Sequence, residues 1–123
     1  MFSIFKKKKP VMVMGSAEAN ELVRQQLREL GDDGIVQRHV IHYAYPLGSS
    51  DPVTRRKIDA WLYQQNFKVK SAESRDGVVF ETAQSITGEE FDLLTQSFMI
   101  FFEELDWDYD GWECAVSIIE DTA

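Results

Sequence analysis

Few residues in this 123-residue chain are of types that do chemistry, and their spacing limits what they could do. His39 and His42 are three apart in a stretch rich in Val, Ile and Tyr. In a strand such a pair points to opposite faces, so the two imidazoles cannot ligate one metal without outside help. Both read as partly exposed strand residues, and neither has a Ser or Cys nucleophile beside it. Cys114 is the single cysteine, which leaves no intramolecular disulfide and no cysteine-based zinc site. A reactive thiolate needs positive charge or a helix N-terminus nearby; Glu113 supplies the opposite, so Cys114 reads as a small buried hydrophobe. Val13-Met14-Gly15-Ser16-Ala17 lacks the second glycine and the lysine of a phosphate cradle. On these residues no catalytic group, cofactor site or metal site is assigned.

The densest chemistry is acidic. Glu103, Glu104, Asp106, Asp108 and Asp110 place five carboxylates within eight residues. They could bind a hard cation, but the spacing is not that of a calcium loop, and Trp107 and Trp112 would crowd the ion. A solvated acidic surface and a docking surface for a basic protein are the other two readings. In the docking case the charges chiefly set association rate and register. An exposed Trp107, Tyr109 or Trp112 would then supply the desolvated anchor. The bulk charge agrees. The chain carries a net −8, yet its first ten residues hold four lysines and no acid. Residues 11–123 hold the other 9 basic and all 21 acidic side chains, a net of −12. Such a body repels phosphate backbones, so direct nucleic-acid binding is disfavoured and basic partners are attracted.

These residues need elements to position them. Residues 1–15 read as a basic, flexible arm and 16–123 as one domain. The order Met1-Phe2-Ser3-Ile4-Phe5 then Lys6 to Lys9 is the reverse of a secretory signal. Phe2, Ile4 and Phe5 beside the lysines could touch a bilayer, but one such signal gives no stable membrane association. Ser16 can cap a helix over 16–30 with Ala19, Leu22, Val23, Gln26, Leu27 and Leu30 on its apolar stripe. Residues 35–45 read as a strand. Asp51-Pro52 starts a second helix, running to about Gln65, with Ile58, Trp61 and Leu62 buried. Phe67 to Ser71 and Val78 to Gln84 are strands joined at Arg75-Asp76-Gly77. Thr87-Gly88-Glu89-Glu90 has capping-box spacing before a third helix. That helix carries the largest apolar stripe, Phe91, Leu94, Phe98, Phe101, Phe102 and Leu105, and should form the centre of the core. Trp107 to Trp112 then reads as a connecting turn, tight at Gly111, and Glu113 to Ile119 as the last strand. One or two of the turn's rings should lock the third helix to that strand, with its aspartates in water. The order is α followed by β-α-β-β-α-β. It predicts an α+β fold: a ferredoxin-like sandwich with an antiparallel four-stranded sheet and an additional N-terminal helix. The uncovered sheet face, or its edges, would be available to a partner.

Tyr109-Asp110-Gly111-Trp112, after an acid-rich apolar helix, resembles the signature of the B-type regulators of ribonuclease E activity, the RraB family. Asn66-Phe67-Lys68-Val69 and Asp76-Gly77-Val78-Val79-Phe80 are similar to that family's entry to its second strand and its Asp-Gly turn. The resemblance runs over roughly residues 17–120. It differs at the ends: the chain starts basic and finishes at Glu120-Asp121-Thr122-Ala123 rather than in a long acidic tail. The resemblance implies a small bacterial cytoplasmic protein without catalysis of its own. It implies binding to the basic scaffold region of ribonuclease E and inhibition of RNA cleavage. Glu103, Glu104, Asp106, Asp108 and Asp110 are the expected partner-binding residues. Two alternatives stay open: an assembly or immunity-type protein binding another basic partner, and a small-ligand or enzyme domain using His39 or His42.

Overall fold

Ser16 opens the first helix in the computed structural model, which describes residues 15–116. Its side chain accepts the Ala19 N–H at 3.1 Å, and α1 spans Ala17–Glu29. Asp51 does the same for Val53 at the start of α2 (Pro52–Gln64), where Pro52 sits in the first turn and its missing N–H costs nothing. α3 (Glu89–Glu104) is not capped by Thr87, contrary to the capping-box expectation. Gly88 holds the cap position, which makes Glu90 the second helical residue instead of the third, out of place for the reciprocal bond. Glu89, Glu90 and Asp92 instead put negative charge against the positive end of the helix dipole.

The strands are β1 (Arg38–Pro46), β2 (Lys68–Ser71), β3 (Val78–Gln84) and β4 (Trp107–Cys114). Their order across the sheet is β2-β3-β1-β4, with every neighbouring pair antiparallel. β1 and β2 therefore run parallel with β3 inserted between them, and β3 and β4 run parallel with β1 between. These two interlocked split βαβ units are the ferredoxin-like α+β arrangement, preceded by α1.

The chief departure from the sequence reading is β4. Residues 107–112 are not a connection but most of the last strand. Leu105 ends α3, and Asp106 alone reverses the chain, with φ 60°. Asp is among the few residues that enter the left-handed region routinely. Trp107 is already paired with Pro46, and pairing continues to Cys114 opposite Val40. Of the predicted strand 113–119, Glu113 and Cys114 are strand, Ala115 and Val116 follow it, and 117–119 lie outside the described residues. Gly111 makes no tight turn. It sits at a β-bulge where Asp110 is the extra residue opposite Tyr43 and Ala44, and its φ of 106° fits that role. The bulge also decides orientation. Trp112 is three residues from Tyr109 and would face outward in regular alternation; the inserted residue turns it inward with Trp107 and Tyr109. Of the predicted arm, residues 1–14 lie outside the described residues.

The inward row of the sheet meets all three helices. Ile58 and Leu62 of α2 and Phe98 and Phe102 of α3 pack on Ala44, Phe80 and Tyr109. Val23 and Leu27 of α1 pack with Phe91 on Val40, Trp112 and Cys114. Phe98 and Phe102 are fully buried, as the stripe of α3 predicts, and Trp61 stacks on Phe101 with ring centroids 3.9 Å apart. α1 is rolled relative to its predicted stripe: Leu22, Gln26 and Leu30 are exposed, while Asn20 and Arg24 are buried.

Candidate partner-binding surface

The sequence-derived acidic residues do cluster by element. Glu103 and Glu104 form the exposed end of α3, Asp106 is the exposed corner residue, and Asp108 is exposed on β4. Asp110 occupies the bulge and is half-buried. Burial first, then the charge of Asp110, raises the Asp108 carboxyl above its ordinary range, so these two carboxylates feel each other; Arg75 opposes the shift. Asp106 also lines a surface depression of about 510 Å³ with Leu47, Gly48, Asp51 and Trp107. Among the described residues no group of three or more His, Cys, Asp or Glu side chains is placed to hold a metal.

Trp107, Tyr109 and Trp112, which could anchor a partner only if exposed, are all buried. They are 3%, 5% and 5% exposed. All three rings lock α3 to β4, more than the one or two expected. Trp107 lies by Phe102, Tyr109 by Phe98, and Trp112 meets Phe91 edge-on at 4.9 Å.

Each residue of Tyr109-Asp110-Gly111-Trp112 thus has a structural job. The Trp112 Nε1–H donates to Asn20 Oδ1 at 2.7 Å. The Asn20 amide in turn donates to Thr95 Oγ1 and Asp92 Oδ1, both at 2.9 Å. Asp92 receives two parallel bonds from Arg24, at 3.0 and 3.1 Å, and Arg24 also donates to the Ile86 carbonyl at 3.1 Å. This network ties α1, α3 and β4 together. Asn20 and Arg24 were invisible to a reading that sought only apolar periodicity on α1. Their signal was the polar pair sitting one residue after Ala19 and Val23.

His42 is fully buried, against the expectation of partial exposure. By parity it shares the inward row with Val40 and Ala44, and its ring stacks on Phe80 at 5.1 Å. Nδ1 accepts from the Tyr109 hydroxyl at 2.7 Å, and Nε2–H donates to Gln84 Oε1 at 2.9 Å. One donor and one acceptor are what a neutral imidazole offers. Burial pushes its pKa down to about 4, against the Gln84 bond. His39 lies on the opposite face, with Nε2 2.8 Å from Glu81, so the two histidines do not converge. Burial also raises the Cys114 thiol, with Arg38 opposing. The thiol is therefore held in its unreactive form, as its sequence setting suggests.

The outward row is different in kind. Ile41, Tyr43 and Tyr45 of β1 are half-buried beside Val79 and Glu81 of β3. Tyr43 donates its hydroxyl to the Glu113 carboxylate. The Arg75 guanidinium lies 3.9 Å above the Tyr45 ring. Sequence periodicity alone gave no reason to single these residues out.

Among the described residues no helix is long and apolar enough to cross a membrane. Comparison with curated proteins and with solved structures finds no match. The family model described as "Regulator of ribonuclease activity B" matches residues 17–114, from the first residue of α1 to the last of β4, and the chain therefore belongs to this RraB family.

Proposed function

We propose that this protein is a non-catalytic regulator that binds a basic segment of a ribonuclease E-type enzyme, in the cytoplasm, and restrains RNA cleavage. The family match over 17–114 carries the reading. The net charge of −12 over residues 11–123 supports a basic partner. Glu103, Glu104, Asp106, Asp108 and Asp110 are the proposed contact residues, with four of them exposed around one corner. Because the three aromatic side chains there are buried, these carboxylates would steer and align the partner more than anchor it.

The test is a titration of the full chain against the basic scaffold region of ribonuclease E at rising salt, alongside an RNA-cleavage assay. Binding at micromolar protein that weakens with salt, together with slower cleavage, is expected. Absence of salt-sensitive binding sinks the proposal. Replacing Asp106, Asp108 and Asp110 together by Asn should weaken binding with the fold intact; Asn tolerates the left-handed backbone at position 106 as Asp does.

A further inference from the structure

The helix that carries the core also presents apolar side chains to solvent. Phe91, Thr95, Phe98 and Phe102 of α3 face the sheet and are buried. On the opposite side Glu89, Leu93, Gln96, Ile100 and Glu103 recur at intervals of four, three, four and three residues, and all five are exposed. That spacing makes one straight row along a helix. Leu93 and Ile100 are 58% and 60% exposed. They stand two turns from one another, about 10 Å along the axis. Acids bracket the pair, Glu89 before Leu93 and Glu103 with Glu104 after Ile100.

Helix stability does not explain the second acidic pair. Carboxylates at a helix C-terminus meet the negative end of the dipole, and the last turn of α3 holds no basic residue to offset them. Neither the Glu103 nor the Glu104 side chain has a salt bridge or hydrogen bond among the described residues. The order of charges also selects an occupant. A second copy of the chain is disfavoured: in parallel each Glu faces its own copy, and antiparallel about Gln96, Glu89 meets Glu103. A helix with its own apolar pair seven residues apart, and Lys or Arg beyond both, matches the row at every position.

We propose that the outer row of α3 binds a basic amphipathic helix of a protein partner, with Leu93 and Ile100 as the apolar contact and Glu89, Glu103 and Glu104 pairing its basic residues. This rests on the protein-binding reading above and supplies what the acidic corner lacks. The carboxylates there steer a partner, and the row that runs into them gives it an apolar seat. Burying two aliphatic side chains requires the partner's apolar residues on one helical face, so binding depends on the partner's pattern. Simple attraction to acids depends on its charge alone.

The probes are two synthetic peptides of equal length and identical leucine, lysine, alanine and glutamine content. One carries its leucines seven apart on a single helical face with lysines beyond both; the other has them on opposite faces. Each is titrated into the isotope-labelled full chain with amide shifts followed by NMR. The patterned peptide should bind about tenfold more tightly, from the burial of two aliphatic side chains less the cost of ordering the peptide. It should gain helical circular dichroism on binding, and shifts should centre on Leu93, Gln96 and Ile100. Leu93→Gln with Ile100→Gln should bring the ratio near unity; Glu103→Gln with Glu104→Gln should weaken both peptides alike. Equal affinity for the two peptides, or shifts confined to Asp106 and Asp108, would overturn the inference while leaving charge-driven ribonuclease binding intact. Failure of the ribonuclease E scaffold region to bind, with the peptide preference present, would instead remove the proposed function alone. If concentrating the protein without peptide moves the amides of the row, a second copy occupies it; if replacing Lys6 to Lys9 by Gln moves them, the chain's own N-terminal segment does. Either result defeats the inference. Should the Leu93 and Ile100 double variant lose its cooperative melting, Ile100→Gln alone and the shift map of the unaltered chain decide.

Discussion

The two faces of this sheet use the same kinds of residue for opposite ends. On the inner face, polar groups are sealed and matched one to one: Trp112 with Asn20, Asn20 with Thr95 and Asp92, His42 with Tyr109 and Gln84. On the outer face, Tyr43, Tyr45 and Glu81 are half-buried, and the Tyr43 hydroxyl donates to the buried Glu113 carboxylate. A buried polar group without a partner costs far more than an exposed one, so the inner face must be fully satisfied and fixed. The half-buried side chains of the outer face are under a weaker version of that constraint. Both faces are built from β1, where one strand's alternation hands His42 and Ala44 to the fold and Tyr43 and Tyr45 to the surface.

That contrast can be broken most forcefully from the inside. Trp112→Ala removes a buried ring and strands the Asn20 carbonyl oxygen, and should cost about 3–5 kcal/mol by chemical denaturation. A loss below 1 kcal/mol would mean that the inner face is not the structural one.

The next effect is pH dependence. His42 is neutral in the fold with a pKa of about 4, against 6.5 for the unperturbed side chain. Between those values the unfolded chain takes up a proton that the folded chain refuses, so stability is complete above the unfolded pKa and falls as pH drops towards the folded one. The loss by pH 4 should approach about 3 kcal/mol. The slope between pH 6.5 and 5, above most carboxylate titrations, is the diagnostic, and His42→Asn should flatten it. A slope unchanged in that variant would show that His42 does not set it.

Two substitutions of intermediate size refine the boundary between the faces. Asn20→Leu leaves the Trp112 N–H unsatisfied and should cost about 1–3 kcal/mol; Trp112→Phe in the same background should recover part of it in a double-mutant cycle. Gly77→Ala tests the outer face. Its Cβ would lie 2.4 Å from the Tyr45 ring and 2.8 Å from the Ala44 carbonyl oxygen. Both the ring and the adjoining backbone must shift, and destabilisation of about 1–3 kcal/mol is expected. The smallest effect belongs to the acidic corner. Asn at 106, 108 and 110 should leave the melting temperature close to the parent value, surface changes being worth about 0.5 kcal/mol or less. A large drop would assign the Asp110 bulge, and not partner contact, as the reason those residues are there.

Much of the architecture was legible in the chain. Asp51-Pro52 marks α2, the Phe stripe marks α3, and the α, then β-α-β-β-α-β order gives the sheet its topology. These signals are local: a cap, a period, a turn. β4 was legible only in part because its alternation is interrupted. Trp107 and Tyr109 keep step, Trp112 does not, and the residue that reconciles them is an unpaired insertion visible only against Tyr43 and Ala44 across the strand. The Asn20–Trp112 pair was hidden for the related reason that its members are 92 residues apart.

The sequence by itself determined the element types, the acidic body and the family signature, because composition and short-range periodicity are properties of the chain. Tertiary structure alone decided the rest. It turned an apparent aromatic turn into an edge strand and buried all three of its rings. Which side of a sheet is covered depends on where the helices pack, and no local pattern in β1 states that.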